Sequence, residues 1–341
     1  MSLPETATPL VRTATGFFQA QALFAGIELG LFARICTAPA TAEEIQREFG
    51  LHPKLTRDYL DSLVAMELLG RDGSAYKASP LTATYLDPRK PEYMGGFLAH
   101  NQRRLYPAWG NLPGFLRSGE SLVKQLSEGD FTDGLYADPK RTRHFADAMD
   151  GYAVLLGRPL AQKYPWETVK SFTDLGGCRG LLTMRLAAAH SHLRGVTFDL
   201  PPLEPLFDEL IEKEAGDSDL RDRVSYHAGS FFTDDLPDTQ VYIFGHVLHD
   251  WVDERRRALV NRAFEQLPPG GTLLIYDSMI DDERRDAAFG LLMSLNMAMI
   301  SGSSEYTVSE GVGWMKEAGF EVERPVPLNE LSTLLVGNKP V

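Results

Sequence analysis

The residues with the clearest chemical meaning lie in a short segment, Asp174–Gly177 (DLGG), and in a carboxylate downstream of it, Asp199. A short apolar run leads into the segment, and a helix-like stretch, LLTMRLAAAH, follows it. A second apolar run, GVTF, then ends at Asp199. Glycines in a strand-to-helix turn let a ligand approach the backbone, and an acid after the next strand accepts hydrogen bonds from ribose hydroxyls. The sequence therefore predicts a nucleoside-binding site formed by Asp174, Gly176, Gly177, Asp199 and Leu200.

This turn differs from a pyrophosphate-binding fingerprint. The fingerprint has the spacing G-x-G-x-x-G, whereas Cys178 and Arg179 follow the two glycines here. A ligand that carries a ribose and no pyrophosphate fits this pattern, and S-adenosylmethionine is such a ligand. The alternative interpretation is an ordinary turn between a strand and a helix.

Polar and aromatic residues also follow the later apolar runs VSYHA, VYIF and TLLIY. Because the carboxyl ends of parallel strands open into one crevice, we expect these residues to converge there. A hydroxyl and an aromatic ring at Ser230 and Phe231 are expected to flank an adenine. The full set is Gly229, Ser230, Phe231, Gly245, His246, His249, Asp250, Trp251 and Asp277.

His249 is the predicted general base, because an imidazole has the right ordinary pKa to take a proton near neutral pH. A base of this kind needs a carboxylate to orient it, and Asp277 and Glu305 are the predicted partners. The alternative is a histidine that is buried in the core with its hydrogen bonds satisfied. Asp250 also has two interpretations, since it precedes the helix-like DERRRALV and could cap that helix.

A metal site is the alternative use of the two histidines. His246 and His249 form a His-x-x-His pair, to which Asn296 and Met297 could add ligands. The spacing is not that of H-E-x-x-H, and no acidic partner is specified. The sequence therefore predicts no metal, with this pair as the alternative.

Residues 1–100 are predicted to form a small helical domain. GFFQAQALFAGIELGLFARI has helical apolar spacing, Thr41 caps a second helix, and a third runs through Leu51–Leu69. Two short strands that turn at Gly73 follow, which completes a winged-helix pattern. The third helix mixes acidic with basic residues, so dimerisation is favoured over DNA binding.

The rest of the chain divides into two further predicted segments. Residues 101–165 are expected to be a helical linker that contributes to a substrate pocket. Residues 166–341 alternate strands and helices, which predicts a Rossmann-like, doubly wound, parallel α/β sheet. Residues 290–305, with Met293, Met297 and Met299, are the other predicted side of the pocket.

Length, charge and cysteine content exclude several classes of protein. The 341 residues suffice for two domains, and a net charge of −13 disfavours nucleic acid, because phosphate-binding surfaces are basic. No apolar stretch reaches the ~18 residues of a membrane helix. Cys36 and Cys178 suit a reducing compartment, and MSLPETATP lacks the pattern of a signal peptide. We expect a cytoplasmic protein without nucleic-acid or membrane partners.

Five segments together resemble a known family. They are DLGGCRG, FDLPPL, GHVLHDWVDE, LPPGGTLLIYD and SGSSEYT, in this order. They are similar to the S-adenosylmethionine-dependent O-methyltransferases of the caffeate and hydroxyindole type, especially bacterial members that modify natural products. The resemblance covers nearly the whole chain, because the family's winged-helix dimerisation domain matches the N-terminal pattern.

The resemblance implies a homodimer that uses S-adenosylmethionine to methylate a hydroxyl, expected to be phenolic, on a small molecule. By position it makes His249 the base, with Asp277 and Glu305 beside it, and Asp199 the ribose acid. Its cofactor site also includes the glycine turn, Ser230, Phe231, Gly245 and Trp251. The chain departs from the family pattern in three places: Cys178-Arg179 replaces Gly-Thr, Ser230 replaces Asp, and Gly245 replaces a Lys common in plant members.

Other functions stay open at this point. The histidine pair fits a metal-assisted C-methyltransferase of an α-keto acid, and methylation at nitrogen is a further alternative. The altered glycine turn fits a non-catalytic binding protein, and the winged-helix pattern fits a DNA-binding regulator.

Overall fold

The structure is a computed structural model that describes residues 6–122 and 135–341. Contacts divide the chain into two compact units, residues 1–104 and residues 105–341. The boundaries expected near residues 100 and 165 stay predictions. Within the described ranges, no helix combines the length and apolar character needed to cross a membrane.

The N-terminal unit contains short helices around a small sheet. Its helices are α1 (Thr8–Leu29), α2 (Leu31–Ile35), α3 (Ala42–Phe49), α4 (Pro53–Ala65), α5 (Pro80–Tyr85) and α6 (Gly95–His100). Its strands β1 (Ala40–Thr41), β2 (Leu69–Asp72) and β3 (Ala75–Ala78) pair in the order β1-β3-β2. Phe32, Leu60 and Tyr76 are buried together in its core.

Local signals in this unit explain where its elements begin. Thr41 and Glu44 form a capping box at α3, in which the Thr41 amide donates to Glu44 Oε2 at 2.7 Å. Gly73, with a φ of 59°, lies in the turn between β2 and β3. The predicted Thr41 cap and the two-strand wing are therefore confirmed.

Two helix boundaries differ from the sequence expectation. The first predicted helix is two helices, because Gly30 adopts a left-handed φ of 74° between α1 and α2. The third ends at Ala65 rather than near Leu69, and Glu67 has a φ of 59° just before β2. A left-handed residue ends the helical hydrogen-bond pattern in both places.

The C-terminal unit is a layered α/β structure. A π-helical turn, Asn101–Leu105, spans the boundary between the units. The helices that follow are α7 (Tyr106–Trp109), α8 (Leu112–Ser118), α9 (Pro139–Lys163), α10 (Leu181–Ala189), α11 (Glu204–Ala215), α12 (Leu220–Arg223), α13 (Asp253–Gln266), α14 (Ala288–Ile300) and α15 (Val308–Ala318). The strands are β4 (Ser171–Leu175), β5 (Arg194–Asp199), β6 (Val224–Ala228), β7 (Val241–Gly245), β8 (Thr272–Asp277), β9 (Glu321–Val322), β10 (Val326–Pro327) and β11 (Thr333–Asn338).

These strands form one sheet in the order β10-β11-β8-β7-β4-β5-β6, with β9 also paired to β11. Strands β4 to β8 pair in parallel, as predicted. The expectation of a wholly parallel sheet is wrong for β11, which is antiparallel to β8, β9 and β10. Strands β8, β9 and β10 therefore run in the same direction, and β11 runs in the opposite one.

Strand β7 (VYIFG) is apolar along its whole length because both sheet faces are covered there. In β7, Tyr242 and Phe244 belong to one buried cluster, whereas Val241 and Ile243 belong to the cluster on the other face. Strand β5 lies on one side of β4 and β7 on the other. The turn after β4 therefore stands where the strand order reverses, the usual place for a ligand in such sheets.

Candidate active site

The turn after β4 depends on glycine for close packing. Gly176 has a φ of 78°, and a Cβ there would lie 2.7 Å from a methyl carbon of Val247 and 3.4 Å from the Phe231 ring. Gly180, with a φ of 84°, begins α10. Cys178 takes a left-handed φ of 53°, which is uncommon for a residue other than glycine. The tight turn is thus kept with Cys178 in place of a glycine, and it brings the segments after β4, β6 and β7 together.

Asp199 ties this turn to the end of β5. Its Oδ2 accepts a hydrogen bond from the Cys178 amide at 2.8 Å, and its Oδ1 accepts one from the Leu200 amide at 2.7 Å. Burial raises the pKa of Asp199 to about 6. These two bonds hold the carboxylate at the turn and leave further lone pairs on its oxygens. Its predicted hydrogen bonds to ribose hydroxyls stay a prediction.

Asp174 lies deeper than its neighbours in the predicted set. Its side chain is buried, and Oδ2 accepts a hydrogen bond from Thr183 Oγ1 at 3.4 Å. Burial, together with the charge of Asp199, raises the pKa of Asp174 to about 7. Its predicted contact with a ligand stays a prediction, and the hydrogen bond seen at its side chain comes from Thr183 within the protein.

An aromatic wall follows β6. The Trp251 ring lies 6.2 Å from the Phe231 ring and 4.7 Å from the Phe232 ring between centroids. The Trp251 Nε1 atom is buried and has no hydrogen-bond partner within the described residues. Phe231 and Trp251 were predicted, whereas Phe232 was missed, although it directly follows Phe231 in the sequence.

Ser230 forms hydrogen bonds with residues of its own loop. Its amide donates to Asp234 Oδ2 at 2.9 Å, and its Oγ accepts from the Phe232 amide at 3.3 Å. Its predicted role beside an adenine stays a prediction.

The structure brings His249 together with both of its predicted acidic partners. His249 lies in a short 3-10 turn, Leu248–Asp250, that follows β7. Its Nδ1 is 2.7 Å from Glu305 Oε1 and 3.6 Å from Asp277 Oδ1, and all three side chains are buried. Glu305 thus fixes the ring orientation, so that Nε2 is the nitrogen left for a substrate.

The electrostatics of this group favour a charged imidazole. Burial opposes the charge on His249, but Glu305 and Asp277 outweigh burial and raise its pKa to about 10. Burial also raises the pKa of Asp277, against the opposing pull of His249. Burial raises the pKa of Asp250 to about 6. His249 is therefore a stronger base than an ordinary imidazole.

Sequence reasoning missed the residue that supports Asp277. Tyr306 is buried, and its hydroxyl donates to Asp277 Oδ2 at 2.5 Å. The only sequence signal was its position next to Glu305. This hydrogen bond uses Oδ2, so the other carboxylate oxygen of Asp277, Oδ1, faces the two histidines.

His246 lies on the other side of Asp277. Its Nδ1 is 3.7 Å from Asp277 Oδ1, and its ring centroid is 5.2 Å from that of His249. His246, His249 and Asp277 each offer one ligand atom within 4.8 Å of the others. The two histidines of the alternative metal site do meet, and Asp277 is a third donor that was not predicted for it. Asn296 instead accepts a hydrogen bond from Trp109 Nε1 at 3.1 Å.

The predicted helix cap at Asp250 is wrong. Asp250 does not cap the helix after it, because α13 begins at Asp253 and has no side-chain cap.

Packing explains why position 245 is a glycine, since a Cβ there would lie 2.1 Å from the Tyr276 ring. The predicted contact of Gly245 with a cofactor stays a prediction.

Arg179 is held away from the turn by helix α9. Its guanidinium pairs with Asp147 at 2.8 Å and also with Asp150, to which its Nε lies at 3.1 Å. These two acids therefore hold the Arg179 side chain, and sequence reasoning missed them because they lie on α9, distant along the chain.

Two family models match this chain. The family described as O-methyltransferase domain matches residues 125–321, and the O-methyltransferase dimerisation domain matches residues 11–88. The match to the first covers more than half of the chain.

Individual relatives extend over almost the full length. The chain is 42% identical to the tetracenomycin polyketide synthesis 8-O-methyl transferase TcmO of Streptomyces glaucescens, over 97% of this chain and 96% of that protein. It is 38% identical to the N,N-dimethyltransferase OxyT of Streptomyces rimosus, over 98% of this chain and 97% of that one. The crystal structure of human N-acetylserotonin methyltransferase in complex with S-adenosylmethionine is similar, with a TM-score of 0.87, 25% identity and full coverage of both chains. The chain belongs to the O-methyltransferase family, with the dimerisation domain and the methyltransferase domain of that family.

Proposed function

We propose that this O-methyltransferase moves a methyl group from S-adenosylmethionine to a phenolic hydroxyl of a small natural product, with His249 as the general base. The observation that carries the proposal is the buried contact between His249 and Glu305, which follows β7 at the same sheet edge as the glycine turn. The alternatives of a metal-assisted C-methyltransferase and a non-catalytic binding protein find no support in the relatives.

The residues at the turn fit S-adenosylmethionine. Asp199 offers carboxylate oxygens for ribose hydroxyls, and Phe231 and Trp251 offer an aromatic wall for an adenine. The buried Trp251 Nε1 without a protein partner is a donor that such a ligand would satisfy. S-adenosylmethionine supplies a methyl group made electrophilic by a positively charged sulfonium.

The acceptor pocket is proposed between α7, α9 and α14. Trp109 on α7 bonds Asn296 on α14, and Asn296 Nδ2 lies 3.7 Å from Met293 Sδ. Tyr152 on α9 packs on His246, with 4.5 Å between ring centroids. These contacts support the two predicted sides of the pocket, around residues 101–165 and 290–305.

His249 takes the proton from the acceptor hydroxyl through Nε2, while Glu305 stabilises the imidazolium that forms. A pKa raised to about 10 matches the ordinary pKa of a phenol, ~10, so the proton transfer is close to balanced. The same shift keeps His249 protonated in the free protein near neutral pH. A cation bound nearby lowers the pKa of an imidazole, so we expect S-adenosylmethionine to promote loss of that proton.

Turnover with a set of phenols and matched anilines tests the proposed function. We expect S-adenosylhomocysteine to form with phenols, and the new methyl group to be on oxygen in the product by nuclear magnetic resonance. Methylation confined to the anilines would contradict O-transfer and would agree with the similarity to OxyT. No turnover with any member, despite binding of S-adenosylmethionine, would contradict a phenolic acceptor.

We also infer a homodimer. Helix α1 lies in the part of the chain that matches the dimerisation domain, and it exposes Leu10, Val11, Phe17 and Phe18. Exposed apolar residues concentrated on one element are typical of a surface that another subunit covers.

We further infer a cytoplasmic location. Cys36 and Cys178 are free thiols, which persist in a reducing compartment. Fractionation of the producing cells tests this, and recovery of the protein outside the cytoplasmic fraction would contradict it.

A further inference from the structure

His246 is a buried imidazole that receives no hydrogen bond from residues 6–122 or 135–341. Its side chain is 7% exposed, and neither ring nitrogen has a partner within the described residues. Buried polar atoms are nearly always paired, because an unpaired one loses its bonds to water without replacement. Its ring surroundings are aromatic: Tyr152 at 4.5 Å, His249 at 5.2 Å and Tyr276 at 5.6 Å between centroids.

The backbone at His246 is also unusual. Its φ is 53°, a left-handed value that residues other than glycine adopt rarely. The conformation is fixed by the His246 amide, which donates to the Tyr276 carbonyl at 3.0 Å. Strained residues persist where the surrounding structure holds them, and they cluster at functional sites. This position thus places an imidazole beside the base at a cost in backbone strain.

The polar atoms next to His246 are unsatisfied too. Asp277 Oδ1 and Glu305 Oε2 are buried and have no hydrogen bond from the described residues. Asp277 Oδ1 lies 3.6 Å from His249 Nδ1 and 3.7 Å from His246 Nδ1. Both imidazoles therefore turn Nδ1 toward the same carboxylate oxygen, and each has Nε2 on the side of the ring away from that nitrogen.

We propose that His246 binds a second hydroxyl of the acceptor, next to the hydroxyl that His249 deprotonates. This inference rests on the proposed function and assigns its substrate class: aromatic compounds with two hydroxyls on adjacent or peri carbons. Such hydroxyls lie about one hydrogen-bond length apart, which suits two imidazoles whose centroids are 5.2 Å apart. A hydroxyl both donates and accepts, so it satisfies His246 in either neutral tautomer.

The state of His246 suits this role. Burial and the neighbouring His249 hold the pKa of His246 well below its ordinary value, so the ring is neutral. With its pKa lowered, His246 is a weaker base than His249, so the substrate proton goes to His249. His246 is therefore a specificity-determining residue rather than a second base.

Three related acceptors test the proposal. We would measure kcat/KM for 1,8-dihydroxynaphthalene, 2,3-dihydroxynaphthalene and 1-naphthol with the unmodified enzyme. A site built to bond a substrate hydroxyl discriminates strongly against an analogue that lacks it. We expect at least one dihydroxy compound to exceed 1-naphthol by about 100-fold.

Substitutions then assign the preference to His246. His246→Phe removes both nitrogens and keeps an aromatic ring, and we expect the ratio of kcat/KM values to fall to within about threefold of unity. His246→Asn tolerates a left-handed φ and keeps hydrogen-bonding groups, so we expect it to retain part of the preference. His144→Phe makes the same change at an exposed position on α9 and should leave the ratio unchanged.

The outcomes separate the two proposals. Methylation of all three acceptors at equal efficiency, or a preference that survives in His246→Phe, overturns the role of His246 and leaves the proposed function intact. Methylation of none of them by the unmodified enzyme overturns the phenolic acceptor and the inference with it. If His246→Phe does not fold, as judged by S-adenosylmethionine binding, His246→Asn decides. Equal kcat/KM values for the dihydroxy compounds and 1-naphthol in that variant overturn the role. A reduced but clear preference for a dihydroxy compound supports it.

Discussion

At the scale of single residues, the cofactor side of the site depends on Asp199. Each of its carboxylate oxygens accepts one backbone hydrogen bond, from Cys178 and from Leu200. The carboxylate is thus oriented before any ligand arrives, which lowers the entropic cost of binding.

Asp199→Asn should weaken S-adenosylmethionine binding by about 10- to 100-fold, the equivalent of one charged hydrogen bond. An amide has the same shape but carries no charge, and only one of its two groups accepts. Calorimetric titration measures the change in Kd. Asp208→Asn, an exposed position on α11, is the matched control, and equal affinity of the two variants would argue against the ribose role.

The pH dependence of turnover reports on His249. Because the base must lose its proton, kcat/KM at saturating S-adenosylmethionine should rise with pH toward the pKa of His249 in that complex. The bound cation places this pKa below the value of about 10 that Glu305 and Asp277 produce in the free protein. Glu305→Gln removes a negative charge and lowers that pKa, so the rising limb should move to lower pH while the maximal rate falls. Glu265→Gln, on exposed α13 surface, should leave the profile in place. A limb that stays put or moves to higher pH in Glu305→Gln would contradict this assignment.

Part of the site was predictable from residue types and spacing. His249, Asp277 and Glu305 were expected to meet, and they do. His249 follows β7, Asp277 ends β8, and Glu305 lies between α14 and α15. The hydrogen bond from Tyr306 and the unpaired ring of His246 were not predictable. Both depend on side-chain directions set by packing, which no local pattern encodes.

At the scale of elements, helix α9 holds the glycine turn through Arg179. The guanidinium is largely buried between Asp147 and Asp150. Burial raises the pKa of Asp150, while Arg179 acts in the opposite direction. The ion pair therefore joins a turn of the sheet to the helix that covers it.

Arg179→Met should destabilise the C-terminal unit by about 1–3 kcal/mol, because it leaves Asp150 without its partner. Thermal unfolding followed by calorimetry measures the effect. The double variant Arg179→Met/Asp150→Asn should recover part of the loss. Arg143→Met breaks an exposed pair between Arg143 on α9 and Glu209 on α11, and it should cost less than about 1 kcal/mol. A smaller effect for Arg179→Met than for Arg143→Met would contradict the bracing role.

The order of elements was largely predictable, and their ends were less so. Alternating apolar runs and helical segments predicted strands β4 to β8 and their parallel pairing. The reversal before β11 was not visible, since an apolar strand reads the same in either direction. The left-handed turn at Glu67 was missed because that residue type carries no such preference.

At the scale of the whole molecule, the chain combines a negative net charge with apolar side chains exposed on α1. The net charge is −13, and the exposed apolar side chains of α1 lie in its first half. The net charge disfavours nonspecific association, and the exposed apolar side chains favour a defined partner.

Phe18→Asp should shift the protein from dimer to monomer, because it places a charge where 59% of the side chain is exposed for contact. Light scattering after size-exclusion chromatography measures the mass. Leu292→Asp changes another exposed apolar residue outside the matched dimerisation domain and should leave the dimer intact. A monomeric unmodified protein would contradict the homodimer.

The most direct measurement of the central claim compares His249→Ala with the unmodified enzyme. Loss of a general base should lower kcat with a phenol by about 10²- to 10⁴-fold, while the Kd for S-adenosylmethionine stays within about threefold. His144→Ala, at an exposed site, controls for loss of a histidine. Near-normal turnover by His249→Ala would contradict the account, because the acceptor would then be methylated without the base on which the proposed function depends.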